Sequence, residues 1–204
     1  GAVCQVANCL GIPVVTYEFG DQRERIWIAQ DAEIMHHETD ALWRALGDQP
    51  LTEEALGKLQ ELFSARQDAK TWQNFARQWQ DTPTEGGAAV RRKLGLDKRP
   101  VVLLATNVLG DSLTLGRQVF SESMAEWIER TVKYFAERED VQLVIRVHPG
   151  ELLTHGTSMV DVVRNALGEI PPQIHLVGPE EKVNTYDITR SEERRVGKEC
   201  RSRW

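Results

Sequence analysis

Polar residues able to bind an anion follow three short apolar runs in the second half of the chain. They lie in the segments 106–112 (TNVLGDS), 148–151 (HPGE) and 178–181 (GPEE). Glycines and short side chains let backbone N–H groups approach an anion, an imidazole can donate to a phosphate oxygen, and Arg146 adds a cation. Tight turns favour the same residue types, so ordinary turns are the alternative. The candidate phosphate-binding residues are Asn107, Gly110, Asp111, Ser112, Arg146, His148, Pro149, Gly150, Glu151 and Gly178.

These loops would follow the strands of a parallel sheet. Apolar runs at 100–106, 141–147 and 173–177 predict the strands. The first run is almost continuously apolar, which is typical of a strand covered on both faces. Strands that alternate with helices become parallel neighbours joined by right-handed crossovers. Because ligands bind beyond the carboxyl ends of such strands, we expect the loops to share one rim.

The helices of this half are predicted from apolar spacing and from stop signals. Helices at 88–94 and 159–167 each end before a glycine. A further helix follows Ser121, which is predicted to cap it, and presents one apolar side. The residues on that side are Met124, Trp127, Ile128, Thr131 and Phe135. Residues 88–189 therefore predict the first half of a doubly wound α/β domain.

The first half of the chain predicts a smaller α/β region followed by a helical connector. A strand at 11–19, expected to be buried, precedes a second strand at 25–29. A helix at 40–46 comes next. From Thr52, the predicted N-cap of another helix, apolar residues recur at helical spacing to about position 80. They are Leu59, Leu62, Phe63, Trp72, Phe75, Ala76 and Trp79. Linker composition at 81–87 marks the predicted domain boundary.

Charge and cysteine content argue against several classes of protein. A net charge of −6 disfavours nucleic acid as the main partner, and no apolar run is long enough to cross a bilayer. Cys4, Cys9 and Cys200 are too scattered for a disulfide framework and indicate a reducing compartment. The first two fit packing within an apolar helical stretch. The segment 36–38 (HHE) lacks the spacing of a helical zinc site, so no metal is predicted.

The last fifteen residues, 190–204 (RSEERRVGKECRSRW), differ in composition from everything before them. They carry six Arg or Lys against three Glu and show no apolar periodicity. All of them resemble one reading frame of a common sequencing adapter, which indicates a non-native, artefactual tail. A basic tail that binds nucleic acid or a membrane is the functional alternative.

Residues 144–151 (VIRVHPGE) resemble the His-Pro motif of bacterial glycosyltransferases that build capsules and other surface polysaccharides. Those enzymes have two Rossmann-like domains, the GT-B architecture. The segments 104–112 (LATNVLGDS), 183–187 (VNTYD) and 10–18 (LGIPVVTYE) are similar to further segments of that family. The resemblance covers most of the chain before the adapter-like tail.

The resemblance implies an incomplete GT-B-like fold in three parts. Residues 1–47 would be the end of an N-terminal, acceptor-side Rossmann-like domain, and 48–87 a helical connector and linker. Residues 88–189 would be a truncated C-terminal domain that binds the nucleotide sugar. Relatives continue with a Ser/Thr-rich turn that completes the phosphate site, where the adapter-like residues stand here. The fragment itself is therefore expected to be inactive.

The family's site residues carry over to positions of this chain. In that family the His-Pro loop holds the phosphate of the donor nucleotide, which implies this role for His148 and Pro149. The loop from Asn107 to Ser112 would line the cleft. In such a transfer a carboxylate takes a proton from the acceptor hydroxyl. Metal need not be involved, and no cofactor is expected. Glu18 and Asp111 are the candidates for that base, with a structural role as the alternative for each.

The resemblance implies a fragment of a nucleotide-sugar-dependent glycosyltransferase of capsule or cell-surface polysaccharide biosynthesis. A sugar-nucleotide epimerase of the same fold and a non-catalytic accessory binding protein are the alternatives. The expected partners are a nucleotide sugar as substrate and a glycan or lipid-linked acceptor, without nucleic acid. The expected location is cytoplasmic, with peripheral contact at the inner membrane or with a polysaccharide assembly complex.

Overall fold

The computed structural model describes residues 2–19, 24–31, 40–70, 82–110 and 121–190. The chain is mixed α/β and divides into two compact units, Gly1–Asp81 and Thr82–Trp204. Among the described residues, no helix is both long enough and apolar enough to span a bilayer.

Among its described residues, the first unit contains three helices and one small sheet. Its elements in chain order are α1 (Ala2–Cys9), β1 (Val15–Phe19), β2 (Ile26–Gln30), α2 (Asp40–Leu46) and α3 (Glu53–Gln67). Strands β1 and β2 pair antiparallel, from Val15 opposite Gln30 to Phe19 opposite Ile26. The predicted strands and the helix at 40–46 are therefore confirmed.

The prediction that β1 is buried is wrong. Val15, Tyr17 and Phe19 are each more than 60% exposed, and their partners Ile26 and Ile28 on the same face are more than half exposed. An apolar strand becomes buried only when another layer packs on it, and apolar composition alone does not supply that layer. The packing expected for the cysteines also fails at Cys9, which is exposed, whereas Cys4 is half-buried.

Helix α3 begins as predicted and ends earlier than predicted. The hydroxyl oxygen of Thr52 accepts a hydrogen bond from the backbone N–H of Ala55, 3.2 Å away, which confirms the N-cap. The helix ends at Gln67, and Ala69 has a positive φ of 56°. That conformation cannot continue a right-handed helix. The predicted apolar residues from Trp72 onward, at 71–80, lie outside the described residues.

The second unit is built on a parallel sheet. Its elements in chain order are α4 (Gly87–Lys93), β3 (Val101–Ala105), α5 (Met124–Ala136), β4 (Gln142–Arg146), a 3-10 helix (Pro149–Leu153), α6 (Met159–Leu167), β5 (Ile174–Val177) and α7 (Thr185–Thr189). The strand order is β3-β4-β5, and both pairs are parallel. The predicted alternation of strands and helices is confirmed.

Helices cover both faces of this sheet. On one face, α5 and α6 pack on each other and on alternate strand residues such as Leu104, Leu143 and Ile145. On the other face, Val90 of α4 and Ile188 of α7 belong to a second core cluster. The members of that cluster are Val90, Leu96, Val144, Val177, Val183 and Ile188. The central strand β4 is consequently buried at every residue.

Two predictions for this unit are wrong in detail. The cap of α5 is Ser123, whose hydroxyl oxygen accepts from the backbone N–H of Glu126 at 3.1 Å, and not Ser121. Strand β3 is only partly covered, with Val102 37% exposed. It has a single strand neighbour in the described sheet, so its apolar run does not give the two-sided burial that β4 has.

Candidate functional site

The carboxyl ends of β3, β4 and β5 lie along one edge of the sheet, and the described parts of the three predicted loops begin there. Two hydrogen bonds continue the ladder beyond the strands: Thr106 N–H donates to the Arg146 carbonyl at 3.1 Å, and Val147 N–H donates to the Val177 carbonyl at 2.9 Å. The backbone N–H of His148 then donates to the hydroxyl of Thr106 at 3.3 Å. The first and second loops are thereby joined, so the expectation of a shared rim is confirmed.

His148 is held in one orientation by the turn that it starts. It is exposed and has extended backbone angles, φ −65° and ψ 126°, directly before the 3-10 helix Pro149–Leu153. The backbone N–H of Gly150 donates to its Nδ1 at 2.9 Å. A backbone N–H is always a donor, so Nδ1 must be the acceptor and the ring proton of the neutral imidazole sits on Nε2. The ring therefore offers Nε2–H as a hydrogen-bond donor.

Gly150 is required by this arrangement. A Cβ at this position would lie 2.8 Å from His148 Nδ1 and 3.4 Å from the Cγ2 atom of Val108. The first of these distances is too short for a non-bonded contact, so any larger residue would displace the imidazole. The absence of a side chain at Gly150 thus leaves room for the imidazole of His148.

Arg146 lies beneath the rim, at the end of β4. The residue is 5% exposed, and its Nη1 donates to the carbonyl of Gly178. It ties the second loop to the third and sets a positive charge behind the rim. A buried cation attracts an anion at the surface above it more strongly than an exposed cation does, because screening by water is weaker.

The third loop is closed by its own acidic residues. The backbone N–H of Gly178, predicted to approach an anion, donates to the carboxylate of Glu181 at 2.8 Å. The carboxylate oxygens of Glu180 lie 2.7 Å from where a Gly178 Cβ would stand. A phosphate at this amide would have to displace the exposed Glu181 side chain.

Glu151 points away from solvent. It is 9% exposed, and its carboxylate accepts hydrogen bonds from the Ser158 hydroxyl at 2.7 Å and from the Met159 backbone N–H at 3.1 Å. Both donors belong to the N-terminus of α6, where Ser158 is the N-cap. Glu151 was predicted to bind phosphate, but its charge is engaged inside the protein by these donors.

The remaining predicted residues fall into separate places. Asn107 and Gly110 are exposed on the first loop, and Gly110 has a φ of 78°. Asp111 and Ser112 lie outside the described residues. Glu18 belongs to β1 of the first unit, where its carboxylate accepts from the backbone N–H of Phe19 at 2.8 Å.

A second polar cluster lies in 183–187, where the sequence predicts no binding role. Asp187 is fully buried, and its carboxylate accepts from the Thr84 hydroxyl at 2.6 Å and from the N–H groups of Glu85 at 2.7 Å and Gly86 at 3.1 Å. Asn184, also buried, donates to the Thr82 carbonyl at 2.8 Å. The start of the second unit is therefore fastened to α7. The sequence signal for this cluster is the pair of short polar residues Asn184 and Asp187 at the start of a helix.

The groups of the second unit whose pKa values are shifted lie away from the rim. Burial, with the nearby Arg99 guanidinium, lowers the pKa of His175 below its ordinary value of 6.5, against opposing effects of Asp97 and the Leu94 backbone. His175 lies on β5, with its Nε2 3.0 Å from the amide nitrogen of Gln142. No group of three or more potential metal ligands occurs within the described ranges.

Comparisons of the chain with known protein families, with curated proteins and with solved structures found no match.

Proposed function

We propose that the chain is part of a nucleotide-sugar-dependent glycosyltransferase of capsule or cell-surface polysaccharide biosynthesis. In this proposal the second unit binds the phosphates of the donor. The observation that carries it is the exposed His148 at the carboxyl edge of a parallel sheet, with Nδ1 already accepting from Gly150 and with no partner for Nε2–H among the described residues. The resemblance of 144–151 to the His-Pro motif supports the same assignment.

The chemistry of a diphosphate suits this rim. Phosphate oxygens are acceptors only, so they need donors and positive potential. Nε2–H of His148 supplies a donor, and Arg146 supplies a cation behind the loop. As a diphosphate leaves in the transfer step, both would stabilise the charge that develops on it. The sugar acceptor, a glycan or a lipid-linked glycan, would be used in the cytoplasm, where activated sugars are made.

Nucleotide binding by the 204-residue chain is the direct test. We would titrate uridine, cytidine and guanosine diphosphates, and inorganic pyrophosphate, while following backbone amide resonances by NMR. We expect shifts at the amides of Thr106, His148 and Gly150, with one nucleoside preferred. The His148→Ala variant should bind about tenfold more weakly, the loss expected for one hydrogen bond to a charged group.

A matched histidine supplies the control. His155 is also exposed and lies in the loop before α6. His155→Ala should leave nucleotide affinity unchanged if the effect belongs to the His-Pro turn. Equal losses in both variants, or no binding of any nucleotide by the wild-type chain, would overturn the proposal.

Removing the acidic side chain of Glu181 on the third loop should strengthen diphosphate binding, whereas His148→Ala should weaken it. Glu181→Ala removes the carboxylate that occupies the Gly178 N–H, and with it a negative charge that repels phosphate. We expect diphosphate affinity to rise by about threefold, a modest gain because an exposed charge is screened. Weaker binding in this variant would place the phosphate away from the third loop.

The products formed from a bound donor separate transfer from epimerisation. Phosphorus and proton NMR of the nucleotide sugar, recorded during incubation with the full-length parent protein and a glycan acceptor, would detect both. Free nucleoside diphosphate is the product that a transferase leaves. An intact nucleotide sugar with one inverted carbon would contradict the proposal and identify an epimerase.

A further inference from the structure

The residue that follows Gly150 connects the rim to the interior. Glu151 has three sets of bonds: its N–H donates to the His148 carbonyl at 3.0 Å, its carbonyl accepts from Thr154, and its carboxylate accepts from α6. The carboxylate is the only one of these groups that reaches beyond the turn itself. It links the turn that orients His148 to the first residues of a helix that is packed into the core.

The donors at the N-terminus of α6 are accounted for within the chain. The N–H of Ser158 donates to Asp161, that of Met159 to Glu151, and that of Val160 to the Ser158 hydroxyl. The Ser158 hydroxyl in turn donates to Glu151 at 2.7 Å. An anion-binding helix terminus must offer free N–H groups to its ligand. Here the carboxylate of Glu151 takes that place.

We infer that Glu151 is a positioning residue for His148, which anchors the His-Pro turn to α6 and so keeps the imidazole in the Nε2–H form that a phosphate oxygen requires. The inference rests on the proposed function for its purpose, though the geometry that it concerns can be measured without a ligand. Glu151 would not touch the phosphate. It fixes the backbone that carries Gly150, whose N–H decides which ring nitrogen bears the proton.

The test compares two carboxylates on the same helix terminus. Glu151→Ala cuts the link between the turn and α6, whereas Asp161→Ala removes the carboxylate that accepts from Ser158 N–H and leaves the Glu151 bonds in place. Both variants loosen the first turn of α6. Only the first should release His148.

The ligand-free readout is the nitrogen NMR spectrum of the histidine rings, recorded in full-length chain at a pH where they are neutral. In the wild type we expect His148 with a protonated Nε2 and a hydrogen-bonded, unprotonated Nδ1. In Glu151→Ala we expect the Nδ1 signal to lose its hydrogen-bonded shift and the two tautomers to mix. Asp161→Ala should keep the wild-type spectrum.

The second readout is affinity for the nucleoside diphosphate that binds best. Glu151→Ala should weaken it by about threefold to tenfold, because a freely turning ring must be ordered on binding. Asp161→Ala should match the wild type at equal thermal stability. Equal changes in both variants, or a wild-type ring spectrum in Glu151→Ala, would overturn the inference.

A milder substitution covers the case in which Glu151→Ala does not fold. Glu151→Asp keeps the charge but is one methylene too short to hold Met159 N–H in the same geometry. Loss of amide protection at Met159 together with an altered His148 ring supports the positioning role, and loss of protection with an unchanged ring overturns it. If no nucleotide binds to the wild type, the proposed function fails, while the ring spectra still decide this inference.

Discussion

The two units contain similar apolar strands with opposite surroundings. In the second unit, helices cover the sheet on both faces, and Leu143, Val144 and Ile145 of β4 are all 0% exposed. In the first unit, Ala65 is the one buried apolar side chain among the described residues. The apolar face of β1 and β2 is open, although a two-stranded sheet on its own is marginally stable in water. Helices cover the sheet of the second unit, whereas the apolar face of β1 and β2 is exposed among the described residues of the first unit.

The largest expected effect comes from truncating the same side chain in both sheets. Ile145 is 0% exposed and Ile28 is 62% exposed. Ile145→Ala should lower the free energy of unfolding by about 2–5 kcal/mol, because it removes buried methylene groups and leaves a cavity. Ile28→Ala should change it by less than about 0.5 kcal/mol. Urea unfolding followed by circular dichroism measures both. A cost at Ile28 as large as at Ile145 would show that the open face is covered in solution.

Replacing the buried Asp187 of the second unit should lower the free energy of unfolding nearly as much. Asp187→Ala leaves the Thr84 hydroxyl and the N–H groups of Glu85 and Gly86 without their acceptor. We expect a loss of about 2–3 kcal/mol, since three partly buried hydrogen bonds would lose their charged acceptor. Asp48 of the first unit is exposed, and Asp48→Ala serves as the control that should unfold like the wild type. Amide hydrogen exchange at 84–90 locates the effect, and unchanged protection there would contradict it.

Glycine substitutions probe the first unit, where little is packed. An added Cβ at Gly57, inside α3, meets no atom within 4 Å, so Gly57→Ala should stabilise the helix by about 0.5–1 kcal/mol. At Gly47, the same Cβ would lie 2.6 Å from the Trp43 carbonyl oxygen, so Gly47→Ala should destabilise α2. Helical circular dichroism during thermal unfolding compares the two. Stabilisation by both substitutions would refute the contrast.

The smallest effect is a dependence on pH that belongs to the second unit. His175 has a pKa lowered by burial, so the unfolded chain binds its proton more readily than the folded chain does. Its contribution to stability is therefore complete above 6.5, the ordinary pKa of histidine, and is lost as the pH falls from there through the folded pKa. His175→Gln should flatten the stability curve below that pH relative to the wild type. Parallel curves for the two proteins would exclude the histidine as the cause.

Elements with strong local signals were predictable from the sequence. The bounds of α2 and α6 agree with the predicted 40–46 and 159–167, because a glycine follows each helix. Ser121 and Ser123 are equally good caps by residue type, and only the bond from Glu126 N–H distinguishes them. The exposure of β1 depends on which elements pack over it, and no local sequence pattern reports that.

The candidate site was predictable in its place and not in its internal contacts. Strand alternation was enough to bring the loops to one rim, since parallel strands end at the same edge. The orientation of His148 depends on a backbone N–H two residues later, and the carboxylate of Glu151 depends on α6. Both contacts exist only in the folded chain. The residue types alone predicted phosphate binding for His148 and for Glu151.

The fastening of Thr84, Glu85 and Gly86 to Asp187 has a consequence for how the chain is made. The bonded residues are separated by more than one hundred positions, and α4 packs against α7 on the same face of the sheet. During synthesis from the N-terminus, Thr84, Glu85 and Gly86 therefore have no Asp187 acceptor until nearly all of the second unit has left the ribosome. Closing so long a loop is slow, because its entropy is lost before the contact forms. Until α7 arrives, the core cluster on this face lacks Ile188, which gives chaperones a defined interval in which to act.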